Sequence, residues 1–171
     1  VTLENLVMAV DQDCSPELTA MLGAALATSI SDIPFDGPIS TTQVGLVDGE
    51  FVFNPTAAQK VVSDLALTVA STKEKVIMIE AGAKEVPEDK MIEAIFAAHE
   101  LNQKVIAFFD TIVAECGKKK HEYQSFAVPQ ELFDAIQEIV TPAEMEEAVF
   151  TDVKQVREEN IRVITEKLEE A

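Results

Sequence analysis

The stretch "TTQVGLVDGEFVFNP", residues 41–55, decides the fold class. Two strand-like runs flank Asp48-Gly49, and Asp-Gly in that position marks a two-residue hairpin turn, because both central residues need positive φ. After a short connector, "DLALTVAS" (residues 64–71) and "KVIMIEAGA" (residues 75–83) alternate or run apolar about the turn "TKE". That predicts a second hairpin. Upstream, "LENLVMAV" (Leu3 to Val10) reads as a further strand, mostly buried.

Helices flank these strands. Ser15 suits an N-cap and Pro16 the first helical position. The following run puts Leu18, Leu22, Ala25 and Ser29 on one stripe, while Ala20, Gly23, Ala24 and Ala27 are small enough to lie close on a sheet. "DIPFDGP" (residues 32–38) reads as a turn-rich loop. Pro87 opens the longest helix, with Met91, Ile95, Ala98, Val105, Phe109, Ile112 and Cys116 at helical spacing and Gly117 as its stop. The order β-α-β-β-(α)-β-β-α predicts an α+β fold, a sheet covered by helices.

Beyond Gly117 no strand pattern appears. "KKKHEYQSF" is a polar linker. Pro129 starts a helix with Leu132, Phe133, Ile136, Ile139 and Val140 on one face. Thr141-Pro142-Ala143-Glu144 is a capping box, and Asp152 is placed to cap a last helix carrying Val153, Val156, Ile161, Ile164 and Leu168. The predicted division is therefore 1–119, α+β, and 120–171, all-α. The helical part has few apolar anchors and calls for a partner surface.

Bulk properties narrow the function classes. The 171 residues are 47% apolar and 26% charged, as in a globular chain. Net charge is −18, shared as −9 in residues 1–120 and −9 in residues 121–171. Both parts should repel phosphate backbones. Lys118-Lys119-Lys120, the one basic cluster, reads as a solvated helix end. Cys14 and Cys116 belong to no ligand cluster and read as free thiols in a reducing compartment. No apolar run reaches membrane-spanning length. The chain runs from Val1 to Ala171, where a helical pattern is still in progress, and reads as a piece of a longer one.

The junction "VDQDCSPEL" (Val10 to Leu18) is the first place to look for chemistry. Asp11, Asp13 and Ser15 match the first three ligand positions of a calcium loop, but Pro16 replaces the glycine of position six and Leu22 the glutamate of position twelve. A phosphate could use the free N–H groups of a helix start. Here Pro16 removes one N–H, and Glu17 and Asp13 satisfy the dipole from within. A self-capped helix is the simpler reading. His99 lacks the second histidine of a zinc-protease helix and reads as a partly buried or interface residue, His121 lies in the linker, and Glu80 sits in an apolar strand. There is no nucleophile elbow and no phosphate loop of the Walker type.

Longer strings carry a resemblance. "SPELTAMLGAALATSISDIPFDGPI" (15–39), "VGLVDGEFVFNPT" (44–56) and "VIMIEAGAKEVPEDKMIEAIFAAHE" (76–100) closely resemble the first ribonuclease PH-like core of bacterial polynucleotide phosphorylases. The likeness runs from residue 1 to about 117; residues 121–171 are similar, by position and helical character, to the start of the all-helical domain that follows that core. The resemblance implies a parent enzyme that degrades single-stranded RNA 3′→5′ with phosphate as nucleophile and polymerises nucleoside diphosphates in reverse. It implies two cores per subunit, a homotrimeric ring around an RNA channel, cytoplasmic location, and Mg2+ and phosphate bound in the second core.

For the first core the resemblance implies a scaffold without catalysis. The catalytic core's matching loop is Asn-Gly followed by three serines; Asp13-Cys14-Ser15-Pro16-Glu17 takes those positions, so one serine, Ser15, survives. The catalytic core's Asp-x-Asp becomes Asp64-Leu65-Ala66. Ser15, Asp64 and Ala66 are thus degenerate counterparts, and no catalytic, cofactor or metal residue is expected in this chain. The family's basic RNA-contacting loop and the first half of the core's sheet lie upstream of the position matching Val1. An exposed apolar edge and face should then make the isolated chain self-associate or depend on further chain segments. Two other readings compete: a stand-alone phosphorolytic enzyme like ribonuclease PH, and a metal- or partner-binding module unrelated to RNA.

Overall fold

Four antiparallel strands, β1 (Ser40–Val47), β2 (Glu50–Phe53), β3 (Leu65–Ser71) and β4 (Val76–Ala83), form one sheet in the order β2-β1-β3-β4. A computed structural model describes all 171 residues. The β1–β2 turn has φ +52° at Asp48 and +82° at Gly49, the left-handed pair that Asp-Gly supplies at low cost. Val47 therefore faces Glu50 directly. The β3–β4 turn is closed by Thr72 N–H donating to the Lys75 carbonyl at 2.9 Å.

Helix α1 (Pro16–Ile30) and helix α3 (Glu88–Cys116) serve opposite faces of this sheet; the short α2 (Ala57–Val62) joins the hairpins. Alternation along the strands sorts the faces. Val44, Leu65, Leu67 and Val69 pack on Ala94 and Ala98 of α3. Thr41 and Ala70 lie on the other face, in a groove with Met21, Ala24, Ala25 and Thr28 of α1. Ala94 and Ala98 permit close approach of α3, and the sheet-facing stripe is Ala94, Ala98, Asn102, Ile106 and Phe109.

That stripe differs from the predicted one. Met91, Ile95, Val105 and Ile112 are its half-buried rim, and Cys116 is exposed because the helix outruns the sheet. Asn102 sits at the centre instead, fully satisfied. It accepts from Thr42 Oγ1 (2.8 Å) and donates to the Val69 carbonyl (3.1 Å) and Ser71 Oγ (2.9 Å). Gly117 ends α3 in extended backbone, φ −66°, rather than in the left-handed region. Glycine is needed there for space: a Cβ would stand 2.4 Å from the Val113 carbonyl oxygen.

Leu3–Val10 forms no strand and is exposed throughout. A strand holds its backbone groups by pairing, and no ladder in the molecule includes this segment. Ser15 caps α1 as expected, its Oγ accepting from Leu18 N–H at 3.3 Å. The C-terminus of α1 is closed by Lys120, whose Nζ donates to the carbonyls of Thr28, Ser29 and Ser31 at 3.1, 2.8 and 2.7 Å. The lysine cluster thus does meet a helix end, but that of α1 and not of α3.

The chain divides into two units, Val1–Tyr123 and Gln124–Ala171. Residues 118–121 belong to the first because Lys118 and His121 N–H groups donate to the carbonyls of Ile30 and Asp32. The second unit holds α4 (Gln130–Ile139), α5 (Pro142–Val149) and α6 (Lys154–Glu169). The capping box of α5 forms in both directions: Thr141 Oγ1 accepts from Glu144 N–H and Glu144 Oε2 accepts from Thr141 N–H. Asp152 does not cap α6. The helix begins one residue later than expected, with Val153 at the N-cap, so the Asp152 carboxylate lies outside reach of the free N–H groups. No helix is long and apolar enough to cross a membrane.

Candidate functional site

The loop before α1 spends its polar groups on itself. Asp11 Oδ1 accepts from Asp13 N–H at 2.9 Å, and the Asp11 carbonyl accepts from Cys14 N–H at 3.1 Å. Asp13 Oδ1 accepts from Ala57 N–H at 3.4 Å, the first residue of α2. Ser15 Oγ, besides capping, donates to Glu17 Oε2 at 2.6 Å. That hydrogen bond, with a contribution from its own backbone N–H and the charge of Lys60, holds the Glu17 carboxyl below its ordinary range. So the Ser15 hydroxyl and the Asp13, Cys14 and Leu18 N–H groups, which could have met a phosphate, already have internal partners.

Next to this loop an open cleft of about 560 Å³ lies over the sheet face opposite α3. Its floor is Ala66 and Thr68 of β3 with Glu80 and Gly82 of β4; Gln43, Pro55 and Lys60 form part of its wall. Register explains the grouping, since Ala66 pairs with Gly82 and Thr68 with Glu80, and alternate residues point to one face. Lys60 links cleft and loop, because it lines the first and acts on Glu17 in the second.

Ser15, Asp64 and Ala66, the three residues that the resemblance singles out, are placed differently. Ala66 is in the cleft floor. Asp64 is not; it precedes β3 and its Oδ1 pairs with Lys84 Nζ at 3.4 Å, while its backbone bonds Leu46 and Lys84. Ser15 stays in its cap. No three His, Cys, Asp or Glu side chains stand together anywhere in the chain. His99 is half-buried on α3 with Gln103 Nε2 at 3.3 Å from its Nδ1. Two features had no clear signature in the sequence. Lys60 falls in the short connector whose helix the predicted order gave only in brackets, with nothing to aim it at a cleft, and Asn102 interrupts an apolar stripe, which marks it as buried polar only once the stripe is phased.

Comparison with known proteins shows what the chain is similar to. Residues 37–100, from the loop before β1 into α3, match the 3′ exoribonuclease family, domain 2. Over 170 residues the chain is 77% identical to polyribonucleotide nucleotidyltransferase of Lachnoclostridium phytofermentans, a match that covers 99% of the chain and 24% of that protein. It is 50% identical over 161 residues to the protein of the same name from Shouchella clausii, covering 94% of the chain and 22% of the relative. The enzyme of that name from Ruminiclostridium cellulolyticum matches all 171 residues at 46% identity, again 24% of its length. The chain therefore spans about a quarter of the length of the curated relatives it matches.

Proposed function

We infer that this chain is a segment of a polyribonucleotide nucleotidyltransferase, carrying domain 2 of a 3′ exoribonuclease core and the helices that follow it. The observation that carries the reading is the 77% identity sustained over 99% of the chain. The parent enzyme shortens single-stranded RNA from its 3′ end by phosphorolysis. Attack on the terminal phosphodiester forms a new P–O bond to phosphate, breaks the bond to the 3′-oxygen, and releases a nucleoside diphosphate. The reverse reaction lengthens RNA.

Within that enzyme this segment is a scaffold. Phosphorolysis needs a held phosphate and acid groups at the displaced oxygen. Ala66 offers neither a ligand atom nor a proton, Asp64 is turned to Lys84, and Glu17 puts a carboxylate where the helix start would receive an anion. The donor set does not fit a divalent cation either, since the cleft floor supplies one carboxylate, Glu80. Mg2+ and phosphate chemistry then belongs to another core of the parent, which acts in the cytoplasm as a homotrimer on single-stranded RNA. The net charge of −18 supports a scaffold over an RNA-gripping role for this segment.

The test is phosphate-dependent release of ADP from poly(A) with magnesium. The full-length parent should be active and the 171-residue chain inactive. Nucleoside diphosphate release by the chain alone would favour a stand-alone phosphorolytic enzyme instead.

A further inference from the structure

The sheet ends at β4, whose outer edge pairs with no strand. β4 is eight residues long, has no proline, and carries one charge, Glu80. Proteins ordinarily blunt such an edge, because its free N–H and C=O groups accept any passing strand. Ile79 pairs with Val69 and Ala81 with Leu67, so both lie on the α3 side. Yet α3 packs chiefly on β1 and β3, and of β4 it is Val76, at the turn end, that joins the core they form. Ile79 remains 51% exposed.

The flank of α3 that overlooks β4 is identified by its contacts with the β3–β4 turn. Gln103 Nε2 donates to the Thr72 carbonyl at 3.0 Å, and Asp110 pairs with Lys73 at 3.4 Å. Helical spacing puts Ile92 and Phe96 on that same flank. They are 54% and 61% exposed. An open backbone edge therefore runs beside an apolar strip built from two elements.

We propose that this edge, with Ile79, Ile92 and Phe96, receives an extended segment of the parent polypeptide lying outside residues 1–171, added as a fifth strand on β4. The proposal rests on the reading of this chain as part of a longer enzyme. Main-chain hydrogen bonds would hold the segment and its alternate apolar side chains would fill the strip. Length favours this occupant: the chain covers 24% of its relatives, which leaves three quarters of the polypeptide to supply cover. Charge disfavours a second copy, which would bring another net −18 to the surface. Glu85, Glu88 and Asp89 are exposed where β4 leads into α3, so the incoming segment carries Lys or Arg at that end.

The experiment uses Phe96→Cys in an otherwise cysteine-free background, made in the full-length parent and in the 171-residue chain. Maleimide labelling should be about tenfold or more slower in the full-length protein, and β4 amides should exchange more slowly there. Equal labelling and equal exchange overturn the proposal. A sedimenting dimer of the 171-residue chain with Cys labelling suppressed also overturns it, in favour of a second copy. Phosphorolysis is assayed on the same full-length sample. An active enzyme that labels freely sinks the docking surface alone; an inactive one sinks the functional reading, and the labelling ratio still decides the surface.

Discussion

Lys120 shows how much one side chain can hold. Its ammonium donates to three carbonyls at the end of α1 and so closes a helix from ninety residues away. Those carbonyls have no intrahelical partner, and the charge complements the negative pole of the helix. Lys120→Met should destabilise the first unit by about 2 kcal/mol, read as a lower urea midpoint. Lys118→Met, whose side chain makes no such bonds, is the control. Equal shifts for the two would remove the capping role. Asn102 is the buried counterpart. It meets three polar partners inside an apolar interface, so its donors and acceptors are all matched where water is excluded.

At the scale of elements, α5 and α6 are joined through Glu144. Its carboxylate accepts from Lys167 Nζ at 2.7 Å and from Thr141 N–H at 2.8 Å. The Lys167 hydrogen bond first, then those to Thr141, bring its pKa down from 4.5 to about 2. A carboxyl depressed in the folded state stabilises it above its unfolded pKa and loses that contribution as protonation proceeds. The α5–α6 pair should therefore weaken as pH falls from 4.5 towards 2. Thermal unfolding of residues in α5, followed by NMR across that range, measures it. Glu144→Gln should unfold earlier at neutral pH and show a flatter pH response; an unchanged profile would count against the linkage.

For the whole molecule, the two units differ in how they are held. The first surrounds a sheet with an interior on the α3 face. The second contains three short helices, and α4 has no buried residue. Between α3 and α4, residues 117–129 have no regular structure, and residues 121–129 are exposed. Cleavage requires such accessible backbone. Brief chymotrypsin treatment should cut first at Tyr123 or Phe126, leaving the sheet unit intact by mass spectrometry. A first cut between β1 and α3 would contradict this description.

The residues alone determined the hairpins, the capped starts of α1 and α5 and the α+β class. Asp48-Gly49, Ser15-Pro16 and Thr141-Pro142-Ala143-Glu144 act within a few bonds of themselves, and their geometry is local. They also carried the weak chemistry of the junction at residues 11–17, since Pro16 and Glu17 oppose an anion wherever the loop sits. Contacts distant in sequence were decided only by the tertiary structure. Leu3–Val10 has a strand's pattern and no strand's partner, and a strand exists only as a pair. Which turn of α3 faces the sheet, bringing in Asn102 and leaving Cys116 outside, depends on where the helix meets β1 and β3. Lys120 reaches α1, Lys60 reaches the cleft, and Ala66 enters its floor because strand register and packing put them there.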